Sequence, residues 1–172
     1  MKTLVLAASF ALPALACGQS QTTCPMHKQG MSDDHAVSVD ARGDHAMGFS
    51  HEKSAHHFRL LSDGGAIEVF ANKPEDSVTR DEIRAHLSHI AQMFTEGDFW
   101  LPMLIHNMVP PGVPVMESKR AAISYTFEPT PNGGRVRIAT ADKDALGAIH
   151  QFLGFQIDNH RTGDSKAVEP PH

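Results

Sequence analysis

The chain has 172 residues, with 15 Lys and Arg against 20 Asp and Glu, 12 His and 2 Cys. A hydrophobic share of 41% supplies one packed domain and excludes a wholly disordered or collagen-like chain. The net charge of −5 and the lack of any Lys/Arg run give no basic footprint for a nucleic-acid backbone, which disfavours nucleic-acid binding.

The N-terminus reads as a targeting segment. Lys2 is a short positive region, Leu4 to Leu12 an apolar one, and Ala14-Leu15-Ala16 a small-residue cleavage site, so residues 1–16 are assigned as a signal peptide and the protein as exported, to a periplasm. Cys17 then heads the mature chain, either acylated as a membrane tether or simply the first residue of a soluble export. No later run approaches the roughly 18 apolar residues of a membrane span. The two cysteines, Cys17 and Cys24, cannot make a disulfide scaffold. They either pair across a short loop or, with Cys17 lipidated, leave Cys24 as a lone thiol.

Residues 17–50 carry no aliphatic periodicity and read as a flexible His/Met/Cys arm. From His51 the pattern changes. Phe58 and Leu60 alternate with polar neighbours, Ser62-Asp63-Gly64-Gly65 turns, and Ile67, Val69 and Ala71 alternate again: a β-hairpin. Thr79 and Glu82 form a capping box for a helix striped by Ile83, Leu87, Ile90 and Phe94 and ended by Gly97. The insertion at 99–120, with four prolines and three methionines, cannot be one continuous helix and reads as a long functional loop. The first pattern then recurs. Ile123, Tyr125 and Phe127 precede a Pro131-Asn132-Gly133-Gly134 turn, then Val136 and Ile138, then a helix striped by Leu146, Ile149, Leu153 and Ile157. The predicted fold is α+β: duplicated ββα units over 51–164 forming a four-stranded antiparallel sheet with two helices on one face. Residues 165–172 read as a frayed tail.

Four clusters could carry chemistry. The first is Cys24-Pro25-Met26-His27, with Met31 and His35 beyond it. Thiolate and thioether are soft ligands that favour monovalent copper, and imidazole suits copper and zinc alike. The segment resembles the heavy-metal-binding segment of bacterial copper and silver efflux adaptors and of heavy-metal P-type ATPases, which implies Cys24, Met26 and His27 as metal ligands.

The second cluster joins Met47, His51, Glu52, His56 and His57. Period two sets His56 on the side of Phe58 and His57 on the opposite face. His51-Glu52 is not a zinc-protease motif, because the next histidine follows at five residues rather than the helical four. The third cluster is His86, His89 and Met93 at i, i+3, i+7, either a metal-binding edge or the half-buried flank of an amphipathic helix. The fourth is Met103 and His106 on the proline-rich insertion, where rigid φ angles lower the cost of ordering a site. His150 lies on the apolar stripe of the second helix and reads as a core histidine bonded to a backbone carbonyl.

From Met47 to Asp164 the chain also resembles a family of exported bacterial proteins of uncharacterised function, through Met47-Gly48-Phe49-Ser50-His51-Glu52-Lys53, Pro102-Met103-Leu104-Ile105-His106 and Pro110-Pro111-Gly112. Members are sometimes labelled aspartate carbamoyltransferase. That enzyme needs two large α/β domains and a phosphate-binding loop, neither of which this sequence offers.

The leading expectation is an exported accessory protein that binds copper, or another transition metal such as zinc, and meets metal-efflux or metal-delivery proteins. A second reading is a small metalloenzyme or haem-binding domain lined by His51, His56, His89 and His106, with Glu52 as base. A third is a partner-binding domain without a ligand.

Overall fold

The computed structural model describes residues 26–171, with side chains from residue 37 onward. In chain order the elements are α1 (Met26–Met47), β1 (Ser54–Leu61), β2 (Gly64–Ala71), α2 (Ser77–Glu96), α3 (Trp100–His106), α4 (Val113–Ser118), β3 (Ile123–Thr130), β4 (Gly133–Thr140) and α5 (Lys143–His160). Strict alternation makes the two hairpins. Phe58 stands opposite Ile67 in the first, and Phe127 opposite Val136 in the second, the same positions of each unit. The strands form one antiparallel sheet in the order β1-β2-β4-β3, so the two units meet through β2 and β4, with Ile67 opposite Val136. The α+β architecture and the four-stranded sheet are as predicted.

Each long helix lies over the strands of the other unit. Helix α2 packs chiefly on β3 and β4, whereas α5 packs on β1 and β2. The repeated glycines make room for this crossing. A Cβ on Gly65 would meet the Leu153 side chain of α5, and one on Gly134 would press on Phe127 and on Leu87 of α2. Ile83, Leu87, Ile90 and Phe94 from α2 and Ile149, Leu153 and Ile157 from α5 are buried in one core with the inner face of the sheet. Burial of each such side chain contributes roughly 1.5–3 kcal/mol before the entropy of ordering is deducted.

Four features differ from the sequence reading. Residues 26–47 form a helix where an irregular arm was predicted. Val39, Gly43, Ala46 and Met47 lie at i, i+4, i+7 and i+8, a sparse stripe that docks on α3 and α5 and gains its stability from that contact. The insertion is not a loop throughout but holds α3 and α4. Pro102 and Pro114 fall in the first turns of these helices, where a missing N–H leaves no bond unmade.

The cap of α2 is Asp76, not Thr79. Asp76 Oδ1 accepts from the Thr79 amide at 3.0 Å, and Asp76 Oδ2 accepts from the Thr79 hydroxyl at 2.9 Å. The tail, finally, is tied down. The Glu169 amide donates to the Leu60 carbonyl and the Ser62 amide to the Glu169 carbonyl, each at 2.8 Å, which covers the free edge of β1.

Candidate functional site

Three helices, α1, α3 and α5, end beside one pocket at the β1 edge of the core, and their last residues, Met47, His106 and His160, line it. Period two along β1 adds His56, on the same side as Phe58. Helix α2 adds His86, one turn before the buried Ile90. Phe58, Ile67, Val69, Leu87, Phe94 and Phe152 supply much of the remaining wall. The cavity measures about 70 Å³, and among the described residues no Asp, Glu, Lys or Arg lines it.

The rings stand in a chain of contacts. His56 stacks on His160 with centroids 5.9 Å apart, and His160 meets His106 edge to face at 5.1 Å. Phe49 lies 6.4 Å from His56 and 5.8 Å from His86, closing the side toward α1. His106, 2% exposed, bonds through Nε2 to Gln156 Oε1 at 2.9 Å. An amide oxygen only accepts, so Nε2 carries the proton and the lone pair of His106 is on Nδ1. The Gln156 Nε2 is buried and finds no hydrogen-bond partner among the described residues.

Burial holds three of these imidazoles neutral. His56 is pushed down to about 4 by loss of water and by the neighbouring His57 and His51. His86 falls to about 4, again by burial first and then by His56 and His89. His160 falls to about 3 through burial, His56 and His106. Neutral imidazoles present lone pairs, so the pocket offers electron-pair donors in apolar surroundings.

No protein-family model matches the chain, and no curated protein or solved structure does. The geometry alone therefore carries the functional reading.

Of the residues predicted from sequence, the structure gathers Met47, His56, His86 and His106 at the pocket. His51 stands outside it, exposed and bonded through Nδ1 to Asp44 Oδ1 at 2.9 Å. His89 points to solvent because a step of three residues from His86 turns it off the buried stripe. Met103 packs against the core and does not line the cavity. Cys24 and the side chains of Met26 and His27 lie outside the described residues, as do Cys17 and the assigned signal peptide.

His57 faces the other side of the sheet, where its Nδ1 donates to Asp164 Oδ1 at 2.9 Å. His150 is bonded as expected, donating from Nε2 to the Leu61 carbonyl at 2.9 Å. His160 and Gln156 are the polar pocket residues absent from the sequence-based set. Phe152, Gln156 and His160 follow one another at i+4, so the buried stripe of α5 extended to its last residue would have found both.

Among the described residues, no three His, Cys, Asp or Glu side chains are already grouped to hold a metal ion. Metal–nitrogen bonds near 2.0–2.1 Å bring two ligand nitrogens within about 4 Å of each other. Imidazole lone pairs lie in the ring plane, and the near-parallel stack of His56 on His160, at 11°, aims theirs along parallel planes, so the rings have to turn about their side-chain bonds to share an ion.

Proposed function

We propose that this chain binds a soft metal ion, monovalent copper in first place, in the histidine-lined pocket, and serves metal handling as an accessory rather than as a catalyst. The observation that carries the reading is the convergence of His56, His86, His106, His160 and Met47 on one apolar cavity that no carboxylate of the described residues lines. Imidazole and thioether are neutral, soft donors, the ligand class that favours monovalent copper. A single positive charge also loses less on leaving water than a double one, and no lining carboxylate offsets a divalent ion.

The three helix ends add to this preference. A helix C-terminus carries roughly half a negative charge on its last carbonyls, and α1, α3 and α5 all finish at the cavity. Haem fits less well, since a cavity of about 70 Å³ is far below the roughly 300–1,000 Å³ of ordinary cofactor pockets. Export, a lipid tether through Cys17 and metal-delivery partners belong to the same proposal. Among the described residues no helix is long and apolar enough to cross a membrane.

The test titrates the full chain, carrying Cys17→Ser and Cys24→Ser so that thiolates do not mask the pocket, with Cu(I) and with Zn(II) under a competing chelator. The expected result is about one Cu(I) held per chain, weakened about 10–100-fold by His86→Ala or His106→Ala and unchanged by His89→Ala. Equal binding in all four proteins overturns the reading.

A further inference from the structure

The inner pocket shares a wall with a second cavity. His56 and His160 line both, and Asp40, His51, Ser54 and Thr162 complete much of the outer one, whose volume is about 320 Å³. The two shared rings lie nearly parallel, with an interplanar angle of 11°, as a pair of plates between the cavities. The outer cavity differs in chemistry from the inner one: it has the Asp40 carboxylate, a threonine and an exposed imidazole, where the inner wall is mostly carbon.

That exposed imidazole is held in a specific way. Asp44 Oδ1 accepts the ring Nδ1–H of His51 at 2.9 Å and the backbone N–H of His51 at 2.7 Å. The proton is thereby fixed on Nδ1, and in the neutral ring Nε2 keeps its lone pair. A carboxylate on one ring nitrogen with the other available is the arrangement in which histidines ligate metals, because it sets the tautomer and strengthens the donor. The negative charges of Asp40 and Asp44 also favour a cation at this end.

We infer that the outer cavity is a capture site for the metal cation, with His51 as its first ligand, and that the ion passes inward by ligand exchange at His56 and His160. The inference rests on the metal-binding reading of the inner pocket. The exchange balances simply. A ring-nitrogen lone pair of His56 or His160 bonds the ion as the lone pair of His51 releases it, and the metal keeps its oxidation state. The shared pair is what makes this stepwise, since each ring borders both the capture side and the holding side.

The experiment follows Cu(I) uptake from its coloured bicinchoninate complex by stopped flow, using the full chain with Cys17→Ser and Cys24→Ser. His51→Ala is expected to slow uptake about tenfold or more while leaving the amount bound at equilibrium unchanged. Asp44→Ala, which keeps the imidazole but frees its tautomer, should slow uptake by less, and His89→Ala should not slow it. Circular dichroism on each variant checks that the fold is kept. Uptake by the His51→Ala chain at the unaltered rate overturns the capture site while leaving the inner site intact. Loss of bound metal at equilibrium in His51→Ala also overturns it, because His51 would then belong to the holding set. Undiminished binding by His86→Ala and His106→Ala is a different failure, that of the inner pocket itself, and it removes the basis for both.

Discussion

A neutral imidazole loses little on leaving water and an imidazolium loses much, which sets how the pocket answers to acid. His56 and His86 are held at about 4 and His160 at about 3, against an ordinary 6.5. Above about 6.5 these rings are neutral in both folded and unfolded chains, and stability is fully present. Between about 6.5 and 4 the unfolded chain takes up protons that the folded one refuses, so stability falls with pH by on the order of 1.4 kcal/mol per unit for each histidine at the steepest. The metal-free chain should therefore show a urea midpoint that drops as pH falls below about 6.5, and His160→Leu should make that drop shallower. A midpoint independent of pH over that window would contradict the burial of these rings. Gln156 offers a second check. Gln156→Leu removes the Gln156 Oε1 acceptor from the buried His106 Nε2–H and should destabilise the fold by about 1–3 kcal/mol, with part of the loss recovered on adding His106→Leu in a double-mutant cycle. At this scale His56 was legible in the sequence because alternation in a strand assigns faces directly. His160 was not, since a helix-end position says little until the neighbouring elements show that the end is buried.

Among the elements, strands and long helices were legible and caps and margins less so. The stripe of α2 and three of the four stripe residues of α5 are buried as expected, because a repeat of three or four apolar residues allows one buried face, whereas Leu146 is only half-buried and Ala145 takes the core position beside it. The start of α2 was misplaced because Asp76 and Thr79 are both good capping residues, and only the observed hydrogen bonds choose Asp76. Helix α1 leaves little trace in the sequence, since its buried face contains Gly43 and Ala46, which carry almost no hydrophobic signal. The C-terminal segment is equally silent for a related reason: backbone pairing on an exposed edge needs no pattern in the side chains. Deleting residues 165–172 should uncover Leu61, 0% exposed, and release the Ser62 amide. The urea midpoint should fall, and hydrogen exchange at Ser62 should accelerate. In the core, Leu153→Ala should cost about 2–5 kcal/mol, the range for a large side chain removed from a packed interior, measured by urea denaturation.

For the whole molecule, the crossing of α2 and α5 decides how the duplication behaves. Since each helix covers the other unit's hairpin, neither ββα unit alone can bury its own helix face as the full domain does. Fragments divided within the segment between α3 and α4 should each be largely unfolded by circular dichroism and should regain structure when mixed, whereas the intact chain should unfold in one transition. A fragment with native-like helix content on its own would refute this interdependence. The duplicated ββα pattern, the antiparallel sheet and the apolar stripes were determined by the sequence itself, because alternation, helical spacing and glycine turns are local properties of neighbouring residues. The tertiary structure alone decided which histidines meet. His56, His86, His106 and His160 come from four separate elements, and their convergence depends on α2 and α5 crossing and on α1 and α3 ending at the same edge. Contacts between residues distant along the chain follow from how helices and strands pack, and no local spacing encodes that.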